Sequence, residues 1–322
     1  CGGHTGASLV IHLFPGFQHG SFLLTLLQAL SLIVQDQRID HGVQVTVHDG
    51  GNVEVFIVPR EPVVGDTVLG EVIGAYLAAA VASAHLAFAG GGDGGVLAGP
   101  LRLVRHRSGS IDRTFRPAVA YKFSEIRDRC NTLRLDFRGD WSVEFRAYDD
   151  GVAYRFLSDT EGPVEVLGEE FALRLPDAST AGLQQPGSFR TGYEEAYEEV
   201  GTRSWGTAGR LAVLPALFDT KRGYKILVSE SSLTDYPCLF LTGDGANGMR
   251  GVFPKMPLRT EETGDRRVRI LDEAGCIAAT TGERALPLRY FVLAAHARDP
   301  VAPTMPARVP QPLPPRIPSD ST

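Results

Sequence analysis

A chain of 322 residues is long enough for one large domain or two small ones. Its 43% hydrophobic and 22% charged residues are ordinary for a globular protein and exclude disordered, collagen-like and coiled-coil classes. A formal net charge of −6, with arginines spread along the chain, argues against a nucleic-acid footprint, which needs a clustered basic surface.

The chain opens at Cys1-Gly2-Gly3, a start compatible with a fragment, a processed chain or a lipidated mature lipoprotein. Two apolar runs follow. Ser21 to Val34 has the length of a signal-peptide core, but no Lys or Arg precedes it. Val72 to Ala89 carries no formal charge and passes a transmembrane length filter, yet it is rich in Ala and runs into the glycine cluster 90–95. A buried helix or an irregular segment accounts for it as well as a membrane span does, and no membrane anchor is assigned.

Between the two runs the period is that of a half-buried strand. Val43, Val45 and Val47 alternate with Gln44, Thr46 and His48, then Asp49-Gly50-Gly51-Asn52 turns and Val53 to Val58 returns as a hairpin. From about Leu101 the pattern is β throughout. Leu133, Leu135 and Phe137 alternate with polar residues, as do Val143, Phe145 and Ala147. Asp149-Asp150-Gly151 makes a tight turn into Val152–Leu157. Short strands are expected at 164–166, 171–175, 224–229, 238–241, 268–270 and 288–294. Many short strands separated by turns predict an all-β sandwich rather than a βαβ fold. Eight prolines between Pro300 and Pro318 predict an extended tail.

The four cysteines, Cys1, Cys130, Cys238 and Cys276, show no C-x-x-C spacing, so neither a zinc ribbon nor a thioredoxin-like site is indicated. One disulfide among the last three and buried free thiols both remain open. No P-loop, G-x-G-x-x-G after a strand, H-E-x-x-H or G-x-S-x-G occurs, which leaves phosphate, nicotinamide, zincin and serine-hydrolase chemistry without a motif.

Three segments in order carry a resemblance. Glu125-Ile126-Arg127-Asp128 with Asn131-Thr132-Leu133 leads into Val143-Glu144-Phe145-Arg146-Ala147-Tyr148-Asp149-Asp150-Gly151-Val152-Ala153-Tyr154-Arg155-Phe156. Tyr193-Glu194-Glu195-Ala196-Tyr197 is second, and Ser229-Glu230-Ser231-Ser232-Leu233-Thr234-Asp235-Tyr236-Pro237 third. Together they resemble the amino-terminal domain of glycoside hydrolase family 97, and the segment 277–284 is similar to the one that closes that domain. The likeness is best over 121–299. The division of the chain that follows is an uncertain apolar segment over 1–38, the family domain over 39–299 and a Pro-rich linker or tail over 300–322.

The resemblance implies an all-β β-super-sandwich of the galactose mutarotase type; the region from Gly65 to Gly95 departs from the family pattern, and the apolar runs point to an irregular or partly helical amino-terminal region. It implies kinship with calcium-dependent α-glucosidases and α-galactosidases that are secreted or periplasmic and act on α-linked carbohydrate. It also implies that the catalytic carboxylates lie in a following (β/α)8 barrel of roughly 250 residues, for which nothing remains after the tail. The expected role is therefore a non-catalytic domain that supports and partly walls a carbohydrate site. The alternative is a stand-alone carbohydrate-binding or protein-interaction module, and a decayed gene product is a third reading.

By the same resemblance Glu194 matches a glutamate that the domain donates to the active-site calcium, an ion that prefers hard oxygen ligands. Against that, Glu194, Glu195, Glu198 and Glu199 could simply form a solvated acidic face. Glu230 and Asp235 are read as loop-shaping rather than as a catalytic pair. Tyr236 and Trp205 are read as core aromatics rather than sugar platforms. His296, the sole histidine of the matched region, has no glutamate nearby in sequence, which argues against mutarotase chemistry.

Overall fold

A computed structural model describes residues 41–47, 53–59, 86–89, 103–117, 123–148, 150–160, 162–175, 179–206, 209–221, 223–264, 267–281 and 283–294. The Pro-rich segment, His296 and the apolar run 21–34 lie outside the described residues. Among the described residues no helix is long and apolar enough to cross a membrane.

The hairpin read from alternating valines is present as β1 (His41–Val47) and β2 (Val53–Pro59), with Val45 opposite Val55. Within the apolar run 72–89, Leu86–Ala89 is a strand, β3, and not helix. It pairs with β8 (Pro163–Glu169), whose other neighbour is β18 (Ala278–Thr281).

The largest sheet is ten-stranded. Its centre is a set of antiparallel neighbours: β5 (Ile126–Phe137), β6 (Trp141–Tyr148), β7 (Gly151–Ser158), β20 (Leu288–Ala294) and β13 (Lys225–Ser231). One side extends through β12 (Val213–Asp219) and β10 (Thr180–Gln184) to β11 (Tyr197–Gly201). The other ends on β4 (Leu103–Phe115), and the two-residue β19 (Arg284–Ala285) pairs with β7 off the main path. A smaller sheet joins β14 (Phe240–Gly243), β15 (Gly248–Val252) and β9 (Ala172–Arg174). The hairpin of β16 (Pro257–Gly264) and β17 (Arg267–Glu273) pairs only with itself among the described strands. A single helical turn, α1 (Thr202–Gly206), follows β11.

Period-2 alternation decides which side chains enter the sandwich. Leu133, Leu135, Phe145, Val152, Tyr154, Phe291, Ile226, Val228 and Phe218 line the inner face of the large sheet. They meet Val164 and Val166 of β8, Leu239 just before β14, and Leu173, Leu241 and Met249 of the smaller sheet. Each large apolar side chain buried there contributes roughly 1.5–3 kcal/mol. Rings add directional contacts, with Phe171 stacked on Phe291 at 6.1 Å and Tyr154 edge-on to Phe156 at 6.0 Å.

β4 is a 13-residue edge strand, and an open edge invites pairing with foreign strands. Charge blunts it. Arg105 and Arg107 reach Asp136 at 2.9 and 3.0 Å, Arg113 reaches Asp128 at 2.8 Å, and Asp112 takes both nitrogens of Arg127's fork.

Candidate functional site

The segment 185–196 joins β10 to β11 and carries Glu194. Tyr193 has φ 58°, a left-handed turn residue, and its N–H donates to Thr191 Oγ1 at 3.1 Å. The segment is fastened at its base: Gln184 Nε2 donates to the Glu195 carbonyl at 2.6 Å, and Gln185 Nε2 to Glu198 Oε2 at 2.6 Å. Gln185 Oε1 in turn accepts from Trp205 Nε1 at 2.7 Å. Trp205 is therefore a buried post beneath the segment, and it offers no ring to solvent.

Glu194, Glu195, Glu198 and Glu199 are all exposed. Among the described residues no three His, Cys, Asp or Glu side chains gather into a metal site. Calcium takes six to eight oxygens, so Glu194 could supply one corner of such a site and the described residues do not complete it.

Beside Glu194 the aromatic rings of Phe189 and Tyr193 lie on Phe240 of β14, at 5.0 Å edge-on and 6.2 Å tilted. Phe240 is buried, while Phe189 and Tyr193 are 38% and 42% exposed. Partial burial and a hydrogen bond with Cys238 raise the Tyr193 hydroxyl well above its ordinary range. Cys130, Cys238 and Cys276 are free thiols.

Behind this surface lies a buried charge cluster. Arg289 of β20 is 1% exposed and opposes Glu230 of β13 in register. Its Nε and Nη2 donate to the two oxygens of Glu169 on β8, at 3.0 and 2.8 Å, and its Nη1 donates to Glu230. Tyr236 completes the cluster, its hydroxyl donating to Glu169 at 2.9 Å and its ring 5.9 Å from the guanidinium. Glu230 also accepts from the Leu239 N–H at 3.0 Å, which fixes the approach to Phe240.

Two carboxylates and one guanidinium leave one negative charge in excess. Burial pushes the Glu230 carboxyl up to about 7, against the opposing pull of Arg289 and the Leu239 N–H. Burial alone would lower Arg289, but Glu169 and Glu230 override it and hold the guanidinium charged.

Glu230 is thus inside the sandwich, whereas Asp235 has φ 50° and a side chain 76% exposed, 3.8 Å from Arg284. The two acids do not share one site. Arg289 and Glu169 went unread in the sequence; a lone arginine in the apolar run Leu288–Ala294 was the available signal.

The sequence profile described as Glycosyl-hydrolase 97 N-terminal matches residues 78–312. The chain belongs to this family. Its match reaches upstream into the apolar run that ends in β3 and downstream into the proline-rich segment. A curated relative of the family 97 domain, the retaining alpha-galactosidase of Bacteroides thetaiotaomicron, is 32% identical over 201 residues, 59% of this chain. The chain spans 30% of that enzyme's length.

Among solved structures, a Glycoside Hydrolase Family 97 enzyme variant from Pseudoalteromonas sp. strain K8 superposes with a TM-score of 0.55 at 19% identity. The match covers 69% of this chain and 32% of that one. A beta-arabinopyranosidase superposes at 0.53 with 22% identity, over 66% and 35% of the two chains. At such identities the likeness speaks for the all-β fold of the family 97 domain.

Proposed function

We propose that this chain is the non-catalytic amino-terminal domain of a family 97 exo-α-glycosidase, which supports and partly walls a site for α-linked carbohydrate. The observation that carries the reading is the family match over 78–312 in a chain that spans 30% of a retaining alpha-galactosidase. The chemistry then belongs to a (β/α)8 barrel outside the matched region, and the protein acts in a secreted or periplasmic setting.

In this reading Glu194 contributes one carboxylate to a calcium ion whose other ligands lie in the barrel. Its exposure, on a segment fastened by Gln184 and Gln185, supports that role. The buried Glu169–Arg289–Glu230 cluster positions the surface from behind, through Leu239 and Phe240 to Tyr193.

The purified chain, assayed on p-nitrophenyl α-glucoside and α-galactoside with and without calcium, is expected to give no turnover. Calcium-dependent hydrolysis would overturn the reading. A hybrid in which this chain replaces the matching part of the Bacteroides enzyme tests Glu194 directly. There Glu194→Gln is expected to raise the calcium needed for half-maximal activity, and an unchanged requirement would remove Glu194 from the ligand set.

A further inference from the structure

Residues 232–239 join β13 to β14 as a strap beside the buried Glu169–Arg289–Glu230 cluster. The outer turn of the strap, Leu233 to Asp235, is exposed, whereas Tyr236 and Leu239 are buried. Ser232 and Asp235 hold φ of 63° and 50°, left-handed conformations that non-glycine residues keep where their surroundings impose them. Side-chain ties do so here. Glu230 accepts from the Leu239 N–H with both oxygens, at 3.0 and 3.2 Å. Tyr236 donates to Glu169 at 2.9 Å, and Arg284 donates to the Thr234 carbonyl. The strap is therefore fastened in large part to the cluster's own carboxylates.

The charges of that cluster do not balance. Arg289 of β20 is the cation that faces Glu230, and Glu169 of β8 already takes its Nε and Nη2. The remaining groups around them are neutral hydroxyls. Tyr236 comes from the strap, Tyr193 comes from the segment 185–196 and is hydrogen-bonded to Cys238, and Tyr154 of β7 lies against Glu169 and Arg289. With Glu230 ionised, the closed strap seals in one negative charge that nothing offsets. With Glu230 protonated, Glu169 and Arg289 cancel. Burial accordingly pushes the Glu230 carboxyl up to about 7, against Arg289 and the Leu239 N–H.

We propose that residues 232–239 are a proton-gated strap, closed while Glu230 is protonated and released when Glu230 ionises. Lifting the strap withdraws Leu239 and Tyr236 from the two carboxylates and admits water to them, which lets Glu230 ionise at its ordinary range. A proton held more tightly in the closed form favours closure at low pH. That advantage is complete below about pH 4.5 and is lost as pH rises through about 7. Release also reaches the neighbouring surface, because the strap leads into Phe240, on which Phe189 and Tyr193 rest, and Cys238 holds Tyr193. The gate is a property of this chain's own conformation and does not rest on the glycosidase reading.

The test is hydrogen exchange of the full chain, followed by NMR at about pH 5 and about pH 8, with each rate corrected for the intrinsic effect of pH. The Leu239 amide reports the strap. The amides of Leu135 and Phe145, inside the ten-stranded sheet, report global unfolding. In wild type, Leu239 protection is expected to fall about tenfold or more between the two pH values and to stay below that of Leu135 and Phe145. In Glu230→Gln, whose side chain cannot ionise, it is expected to change less than about twofold. The proposal is overturned if wild-type Leu239 protection is the same at both pH values, or if it equals that of Leu135 and Phe145 at both, so that only global unfolding exposes the strap. Wild-type pH dependence retained in Glu230→Gln would also overturn it, and the two wild-type criteria stand even where that variant does not fold.

Discussion

Arg289 and Glu169 bolt the two layers of the sandwich together. Arg289 stands on the ten-stranded sheet and Glu169 ends the strand facing it, and their side chains are 1% and 2% exposed. The parallel bonds of 3.0 and 2.8 Å form a fork-to-fork pair, the geometry in which a buried ion pair recovers most of its desolvation cost.

Removing the guanidinium leaves Glu169 and Glu230 buried without a counter-charge. Arg289→Met is therefore expected to cost about 3–5 kcal/mol, the range for breaking a buried pair. Urea denaturation followed by tryptophan fluorescence reads it, since Trp141 and Trp205 are both buried. A loss below about 1 kcal/mol, typical of exposed pairs, would show that the fork is not holding the layers together.

Stability should also respond to pH through Glu230. Its carboxyl is pushed up to about 7 from an ordinary 4.5, so the folded chain takes up a proton that the unfolded chain does not. The associated stability is complete below about pH 4.5 and disappears as pH rises through about 7, a change of roughly 3 kcal/mol. Asp136 and Asp219 act at the other end. Burial raises Asp136, but Ser142, Arg105, Arg134 and Arg107 outweigh it; Lys225 and Lys221 lower Asp219. Their contribution is present above the ordinary carboxylate value and is lost as pH falls below it. Maximum stability is expected at about pH 4 to 5. In Glu230→Gln the decline between pH 5 and 7 should flatten, and an unchanged slope would assign it to another group.

The β architecture was legible because alternation is strict where one face is buried, as in Val143, Phe145 and Ala147. It failed where that condition fails. Every residue of β16 is exposed, so no apolar period marks it, and β11 reads as an acidic run because Glu198 and Glu199 both face water. The Ala-rich stretch before Gly90 lacks a period altogether, and Leu86–Ala89 becomes a strand through its pairing with β8. Glu194 could be named only through the family resemblance, since a single exposed carboxylate leaves no signature of its own. The partners of Glu230 were hidden for another reason. Glu169 and Arg289 are 120 residues apart and meet only when the two sheets close.

On the candidate surface, exposure separates chemistry from support. Glu194→Gln should leave the chain's stability within about 0.5 kcal/mol, as for surface substitutions in general. Phe240→Ala removes the buried ring beneath Phe189 and Tyr193 and should cost about 3–5 kcal/mol. Thermal denaturation of the two variants decides it. A large loss for Glu194→Gln would mean that the side chain holds the fold together, and Phe240→Ala unfolding like wild type would detach the aromatic pair from the core.

Gly243 and Gly206 bring two backbones closer than any side chain permits. A Cβ on Gly243 would lie 2.3 Å from the Gly206 Cα, and one on Gly206 would lie 2.4 Å from the Ala246 carbonyl oxygen. The obstacles are backbone atoms at the end of α1 and in the turn between β14 and β15, so no rotamer change relieves them. The Gly206 carbonyl also accepts from the Gly245 N–H at 3.1 Å, a bond that the displaced turn would lose. Gly243→Ala should therefore destabilise the chain by roughly 1–3 kcal/mol or more. Gly275→Ala, where an added Cβ meets nothing within 4 Å, should be nearly neutral. Equal denaturation midpoints for the two variants would mean that α1 can withdraw from β14 at little cost, and that the segment above Trp205 is not held in place by this contact.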